Sequence, residues 1–410
     1  MKKILGILIS VLLLAGASVY VLVWVAPNSI DPYLYNSSVA NSGMIIKVTD
    51  EITHVDTPDS VKAIYMTGWV AGSLSLREKL VKLIDTTELN SVVIDVKDYS
   101  GRLSFIPSDP SLQKIGSGES RVKDMKAFVK ELHDKNIYVI ARISSFQDAY
   151  LVSARPDLAV KRKSDGKVWK DNKGISWLDP GSEEVWHYLT LIGKEAYSVG
   201  FDELNFDYIR FPSDGDMNDI AYTFSTSTKK ALVIKNFFSY LRENLGDIAE
   251  KGKPPVKLSA DLFGMTTTNS DDLGIGQVME NALPYMDYIC QMVYPSHYPA
   301  TFMGFATPAE KPYEVVKYSM DKAVARVKVA SSSIEKLRPW LQDFSIGHTN
   351  YTPEMVRAQM QATYDSGLNS WLLWNASNRY TEDALIHDFN SATTTSAVTS
   401  ASLDNTTIKR

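Results

Sequence analysis

Along 410 residues, eight short apolar runs alternate with seven amphipathic stretches. That alternation limits the folds open to the chain more than any other feature. The runs at 61–67, 91–96, 137–143, 201–208, 256–261, 286–293, 338–343 and 368–374 have the length and composition of buried strands. Near 74–87, 122–135, 183–199, 229–245, 274–283, 313–328 and 353–366, apolar residues recur at helical spacing. A strand apolar on both faces needs cover on both, and a helical crossover is the connection that parallel pairing requires. Eight such units over 61–389 predict an α/β fold of the (β/α)8 TIM-barrel class. The competing arrangement, a doubly wound sheet, would carry a GxGxxG or P-loop after its first strand, and none is present.

The flanks read differently. Lys2 and Lys3 precede a charge-free apolar run from Ile4 to Ala26. About 20 such residues span a bilayer, and flanking lysines mark the cytoplasmic side. Residues 1–27 are expected to form an uncleaved signal anchor, a single transmembrane helix with the barrel outside the cytoplasm. Cleavage after Ala15–Gly16–Ala17 is the alternative, and it would give a secreted protein. Residues 28–60 read as a polar stalk. Residues 390–410, dominated by Ser, Thr, Ala and Asn, read as a disordered tail.

Composition removes several functions. A net charge of −5 leaves no electrostatic footprint for nucleic acid. The six histidines form no HExxH or HxH pair and no GxSxG elbow occurs, so no metal and no cofactor are expected. The single cysteine, Cys290, lies in an apolar run and reads as a buried thiol.

The chemistry concentrates in the fourth run. Glu203, Asn205 and Asp207 alternate onto one strand face, and Asp207 falls at the C-terminal end, where a barrel keeps its reactive groups. Its structural reading is an ion pair with Arg210 that closes the strand. In a regular strand Tyr208 and Arg210 point away from Asp207. Asp261 ends the fifth run, before a glycine turn, and would share the rim with Asp207. Two rim carboxyls are what glycoside hydrolysis needs. Asp95 is expected inward, with Lys97 two residues on along the same face to hold it ionised. Asp343 closes the seventh run, and Arg142 in the third is placed to orient a carboxylate. Trp69, Tyr294, His297, Trp340 and Trp374 fall at strand ends, where aromatic faces and a ring nitrogen suit a sugar. The long excursions at 98–120, 144–180 and 213–228 are expected to build the mouth.

Taken together, the pieces resemble the DUF4015 family of glycoside-hydrolase-like barrels. They include Thr67–Gly68–Trp69, Ile94–Asp95–Val96–Lys97–Asp98, Ala141–Arg142–Ile143, Trp177–Leu178–Asp179–Pro180, Phe206–Asp207–Tyr208–Ile209–Arg210–Phe211–Pro212, Ala260–Asp261–Leu262–Phe263–Gly264, Tyr294–Pro295–Ser296–His297–Tyr298, Trp340–Leu341–Gln342–Asp343 and Trp374–Asn375–Ala376. The resemblance covers about 61–386. It implies a polysaccharide or oligosaccharide substrate and a nucleophile role for Asp207. Related barrels often carry a Glu where this chain has Asp261. The other reading is a glycan-binding barrel of the cell envelope without hydrolase activity, which would not need paired carboxylates.

Overall fold

The computed structural model describes residues 52–249 and 255–387. The expected anchor 1–27 and tail 390–410 lie outside them, as does most of the stalk. Among the described residues no helix is long and apolar enough to cross a membrane.

Ten strands follow in chain order: β1 Lys62–Met66, β2 Ser91–Lys97, β3 Tyr138–Ser144, β4 Lys161–Arg162, β5 Glu203–Asp207, β6 Ile220–Ala221, β7 Lys257–Phe263, β8 Tyr288–Met292, β9 Trp340–Gln342 and β10 Trp371–Trp374. All but β4 and β6 close into one parallel barrel, each beside its neighbour in sequence, and β10 pairs back onto β1. These eight coincide with the eight apolar runs. The small antiparallel ribbon β4–β6 is extra, and it ties the excursion after β3 to the excursion after β5.

Strand parity sorts the barrel into two cores. Ile64, Ile94, Val139, Leu204, Leu258 and Leu373 face outward and join the main cluster with the surrounding helices. Tyr65, Val93, Tyr138, Cys290, Trp340 and Leu372 face inward and pack along the axis. Cys290 is a buried free thiol, as its apolar surroundings imply. Near the base a buried ion pair fills the axis. Arg338 Nη1 lies 2.9 Å from Glu203 Oε2, and the Tyr138 hydroxyl donates to that same oxygen at 3.0 Å.

Helices start where side chains can cap them. Thr67, Asp124, Asp148, Ser182 and Thr352 each accept from a backbone N–H of the first turn, an interaction worth about 1 kcal/mol apiece. The stretch 274–283 departs from its helical pattern, since only Met279–Ala282 is helical. Gly274 and Gly276 hold φ of +69° and +87°, a left-handed backbone that no helix can contain.

Residues 52–60, expected as stalk, lie against the base of the barrel. The Val55 N–H donates to Asp202 Oδ1 at 2.8 Å, His54 stacks on Tyr197 at 4.2 Å, and the Thr57 hydroxyl donates to Tyr138 at 3.2 Å. The packed domain therefore begins before residue 61.

Candidate active site

Because β3, β5 and β7 are neighbours in register, their inward residues converge at the C-terminal mouth. Ser144 pairs with Asp207 across β3–β5, and Phe206 with Ala260 across β5–β7, which sets Asp207 beside Asp261. Arg142 joins them. Its Nε is 3.1 Å from Asp207 Oδ2 and 4.0 Å from Asp261 Oδ2, and its Nη2 also donates to Asp207. The two Oδ2 atoms can be no farther apart than those two distances added together. That bound covers the roughly 5–5.5 Å of retaining glycosidases and reaches only the lower end of the inverting range, about 6.5–9.5 Å.

Each carboxyl has its own surroundings. Asp261 Oδ1 accepts from Asn205 Nδ2 at 2.9 Å and from the Trp340 indole N–H at 2.8 Å, leaving Oδ2 toward Arg142. Burial, then the charge of Asp207, pushes the Asp261 pKa well above the carboxylate range, and Arg142 offsets only part of this. Asp207 Oδ1 accepts from the Tyr208 N–H at 2.5 Å. Asp95 sits behind Arg142, taking its Nη1 at 2.6 Å and the hydroxyl of Tyr65, and burial raises its pKa. Burial works against the charge of Arg142, but Asp207 and then Asp95 outweigh it and drive its pKa up. The Arg142 guanidinium also lies 5.0 Å from the Trp374 ring centre, so the cation is braced by aromatic as well as acidic groups.

A cavity of about 410 Å³ opens over this centre. Its walls include Arg142, Asp207, Asp261, Tyr294, Trp340 and Trp374, together with Tyr208, Arg210, Phe263, Gln277, His297 and Tyr298. The cavity has the size and mixed lining of a small-ligand site. Gly264 follows β7 under tight packing: a Cβ there would stand 2.4 Å from the Met292 carbonyl. Burial and then Lys173 lower the His297 pKa, so its ring is neutral near pH 7.

Several expected site residues have other work. Lys97 does not serve Asp95. A register shift between Asp95 and Lys97 separates them, and Lys97 Nζ bonds Asp148 at 2.9 Å and the Ser144 carbonyl at 2.6 Å. Asp343 lies past the end of β9, three residues after inward Trp340, and clamps Thr381 through its N–H and hydroxyl at 2.9 and 2.6 Å. Glu203 faces inward but belongs to the basal pair with Arg338, below the cavity. Trp69 is 65% exposed and stacked under Arg121, because the chain turns into a helix at Gly68 immediately after β1. Trp340 lines the cavity, yet its N–H is given to Asp261, so it positions the acid besides offering a ring face. None of the excursions 98–120, 144–180 and 213–228 contributes a residue to the cavity wall, and the residues immediately after β5, β7 and β8 do that work.

Two residues that strand parity had turned away are in the wall, Tyr208 and Arg210. Tyr208 has φ of +53°, a left-handed conformation rare for a bulky residue. The break ends the alternation and turns both side chains to the cavity. Asp207 therefore pairs with Arg142, and the ion pair with Arg210 does not form.

The model of the DUF4015 family, described as a putative glycosyl hydrolase domain, matches residues 63–380. No curated protein matches the chain. Among solved structures, a hypothetical protein from Ruminiclostridium thermocellum is 36% identical, over 52% of this chain and 98% of that one, with a TM-score of 0.43. The glycoside hydrolase domain of PgaB (BpsB) from Bordetella bronchiseptica is 12% identical over 78% of this chain and 95% of that one, with a TM-score of 0.58. An α-L-fucosidase, isoenzyme 2 from Paenibacillus thiaminolyticus, is 11% identical over 79% of this chain and 48% of that one, with a TM-score of 0.53. At such identities the last two show a common barrel fold. The family model spans well over half of the sequence, and on that ground the chain belongs to the DUF4015 family of glycosyl hydrolase domains.

Proposed function

We propose that the barrel is a retaining glycoside hydrolase that cleaves a cell-surface or wall polysaccharide outside the cytoplasm, with Asp207 as nucleophile and Asp261 as general acid and base. The observation that carries the reading is one guanidinium, Arg142, within 4.0 Å of both carboxyls at the cavity floor. Glycosidic cleavage needs one carboxyl protonated and one ionised. Asp261 fits the protonated part, because burial and the neighbouring charge of Asp207 favour its neutral form. Its proton belongs on Oδ2, since Oδ1 already accepts two hydrogen bonds.

The steps follow from the same coupling. Asp261 gives its proton to the leaving oxygen while an oxygen of Asp207 bonds to the anomeric carbon. Esterification removes the charge of Asp207, and with it one of the causes that raise the Asp261 pKa. Asp261, now ionised, takes a proton from the incoming water as the water oxygen bonds to the anomeric carbon, and the ester C–O bond breaks to return Asp207 to its carboxylate. Arg142 faces Asp207 throughout and counters the charge that returns to it. Tyr294, Trp340 and Trp374 supply ring faces for the sugar.

The location rests on Lys2, Lys3 and the charge-free run behind them. Fractionation should find the full-length chain with the membrane, and recovery in the cytosol would sink the location without touching the chemistry.

The catalytic assignment is tested with Asp207→Asn, which is nearly isosteric and removes the charge. On an activated glycoside drawn from a panel of bacterial polysaccharide sugars, single-turnover rates should fall far below a tenth of wild type. A tenth corresponds to about 1.4 kcal/mol of transition-state stabilisation. A smaller loss, with circular dichroism unchanged, removes Asp207 from the nucleophile role. No turnover by wild type on any glycan would favour the binding-barrel reading.

A further inference from the structure

Four cations are buried among the described residues: Lys97, Arg142, Arg210 and Arg338. Three of them meet a carboxylate, Lys97 at Asp148, Arg142 at Asp95 and Asp207, and Arg338 at Glu203. Arg210, 9% exposed, meets none. It is held by rings, with Trp177, Phe263 and Tyr208 centred 4.7, 5.0 and 5.7 Å from its guanidinium carbon. Only Nη1 makes hydrogen bonds to protein, to the Phe211 carbonyl at 3.2 Å and the Ser213 hydroxyl at 3.1 Å. Nε and Nη2 make none among the described residues, and neither is sealed from solvent, because Arg210 lines the cavity.

A buried guanidinium without a counter-ion is costly, and stacking on rings repays only part of the loss. The open Nε–Nη2 edge is a planar pair of donors, the geometry that matches a carboxylate in two parallel hydrogen bonds. The charges of Asp207, Asp214 and Asp171 reach Arg210, but none of them lies within ion-pair distance of its guanidinium among the described residues. Asp207 and Asp95 are already matched by Arg142, so they do not neutralise Arg210 by contact.

We infer that the cavity takes an acidic sugar, and that Arg210 is the residue that binds its carboxylate. The substrate class is then a uronate-containing polysaccharide, and the inference rests on the reading of this cavity as a glycosidase site. The three rings fix the guanidinium in place, so it recognises the carboxylate with little loss of side-chain freedom.

The experiment measures binding of glucuronate, galacturonate and mannuronate, each against its neutral parent sugar and against glucose 6-sulfate, at constant ionic strength. It uses wild type, Arg210→Met and Arg210→Lys in the full chain. At least one uronate should bind wild type ten-fold or more tighter than its neutral parent. Arg210→Met should abolish that preference, and Arg210→Lys should keep part of it, as a charge without the planar fork. Equal binding of uronate and neutral sugar by wild type overturns the inference, as does a preference that survives in Arg210→Met. Tighter binding of the sulfate ester than of any uronate overturns the carboxylate assignment. If Arg210→Met does not fold, Arg210→Lys decides, with an unchanged preference counting against the inference. Asp207→Asn carried through the same titration separates the two readings. An Arg210-dependent uronate preference with no turnover on any glycan would remove the hydrolase reading and leave this one. Cleavage of neutral glycans at rates unaltered in Arg210→Lys would do the reverse.

Discussion

Asp261 carries a cost that its place in the mouth imposes. Its folded-state pKa lies above the unfolded value near 3.9. Folding therefore gains from its proton below that value and loses the gain as pH rises toward the raised pKa. Asp95 and Asp343, raised by burial too, act in the same sense, so the contribution of Asp261 must be read as a difference. Asp261→Asn should melt higher than wild type at pH 7–8, with the gap closing toward pH 4, measured by thermal unfolding across that range. A gap independent of pH would mean that Asp261 is not buried as an acid. The same variant should lose the basic limb of the pH–rate profile. Asp207 and Asp261 were legible in the sequence because both precede any break in strand alternation. Tyr208 and Arg210 were not, because a single left-handed residue at +53° inverts the parity of everything after it, and no composition signal marks a tyrosine there. Arg142 was expected to orient a carboxylate and does; which carboxylates it meets follows from register, which a single sequence does not display.

At the scale of the element, the barrel strands divide their inward positions between chemistry above and support below. The basal pair of Glu203 with Arg338 is fully buried, with Tyr138 donating to it and the Tyr288 ring 3.7 Å from the guanidinium carbon. Arg338→Met should cost about 3–5 kcal/mol, since it leaves Glu203 charged and alone in the interior. Adding Glu203→Gln to that variant should restore a large part, because the orphaned charge is gone while the Tyr138 bond remains. Chemical denaturation of the two singles and the double checks it, and strictly additive losses would show that the pair is not coupled. The eight strands were readable because each sets a short run of mostly apolar residues between amphipathic or polar segments, with the outward face apolar against the helices. The helix read at 274–283 failed since its periodicity ignored two glycines with positive φ. Asp343 and Trp69 were misplaced for a common reason: both follow the last paired residue of a strand, where alternation no longer says which way a side chain points.

For the whole molecule, the first described residues belong to the fold. A chain starting at residue 52 should melt with the full-length protein. One starting at residue 61 should melt several degrees lower, having lost the Val55–Asp202 and Thr57–Tyr138 bonds and the His54–Tyr197 stack, about 1–3 kcal/mol together. Equal midpoints would make 52–60 a passive leader. No periodicity in that polar segment foretold the contact, because it is made through backbone and ring groups and not through an apolar face.

The clasp at residues 52–60 also fixes a direction. Val55 and Thr57 meet the starts of β5 and β3, and at the other end of the domain the Ile386 carbonyl accepts from the Glu88 N–H, just ahead of β2. Both ends of the described domain thus leave from the floor of the barrel, while the cavity opens at the opposite rim. A fusion or truncation made at either of these described ends is therefore set apart from the cavity by the length of the barrel.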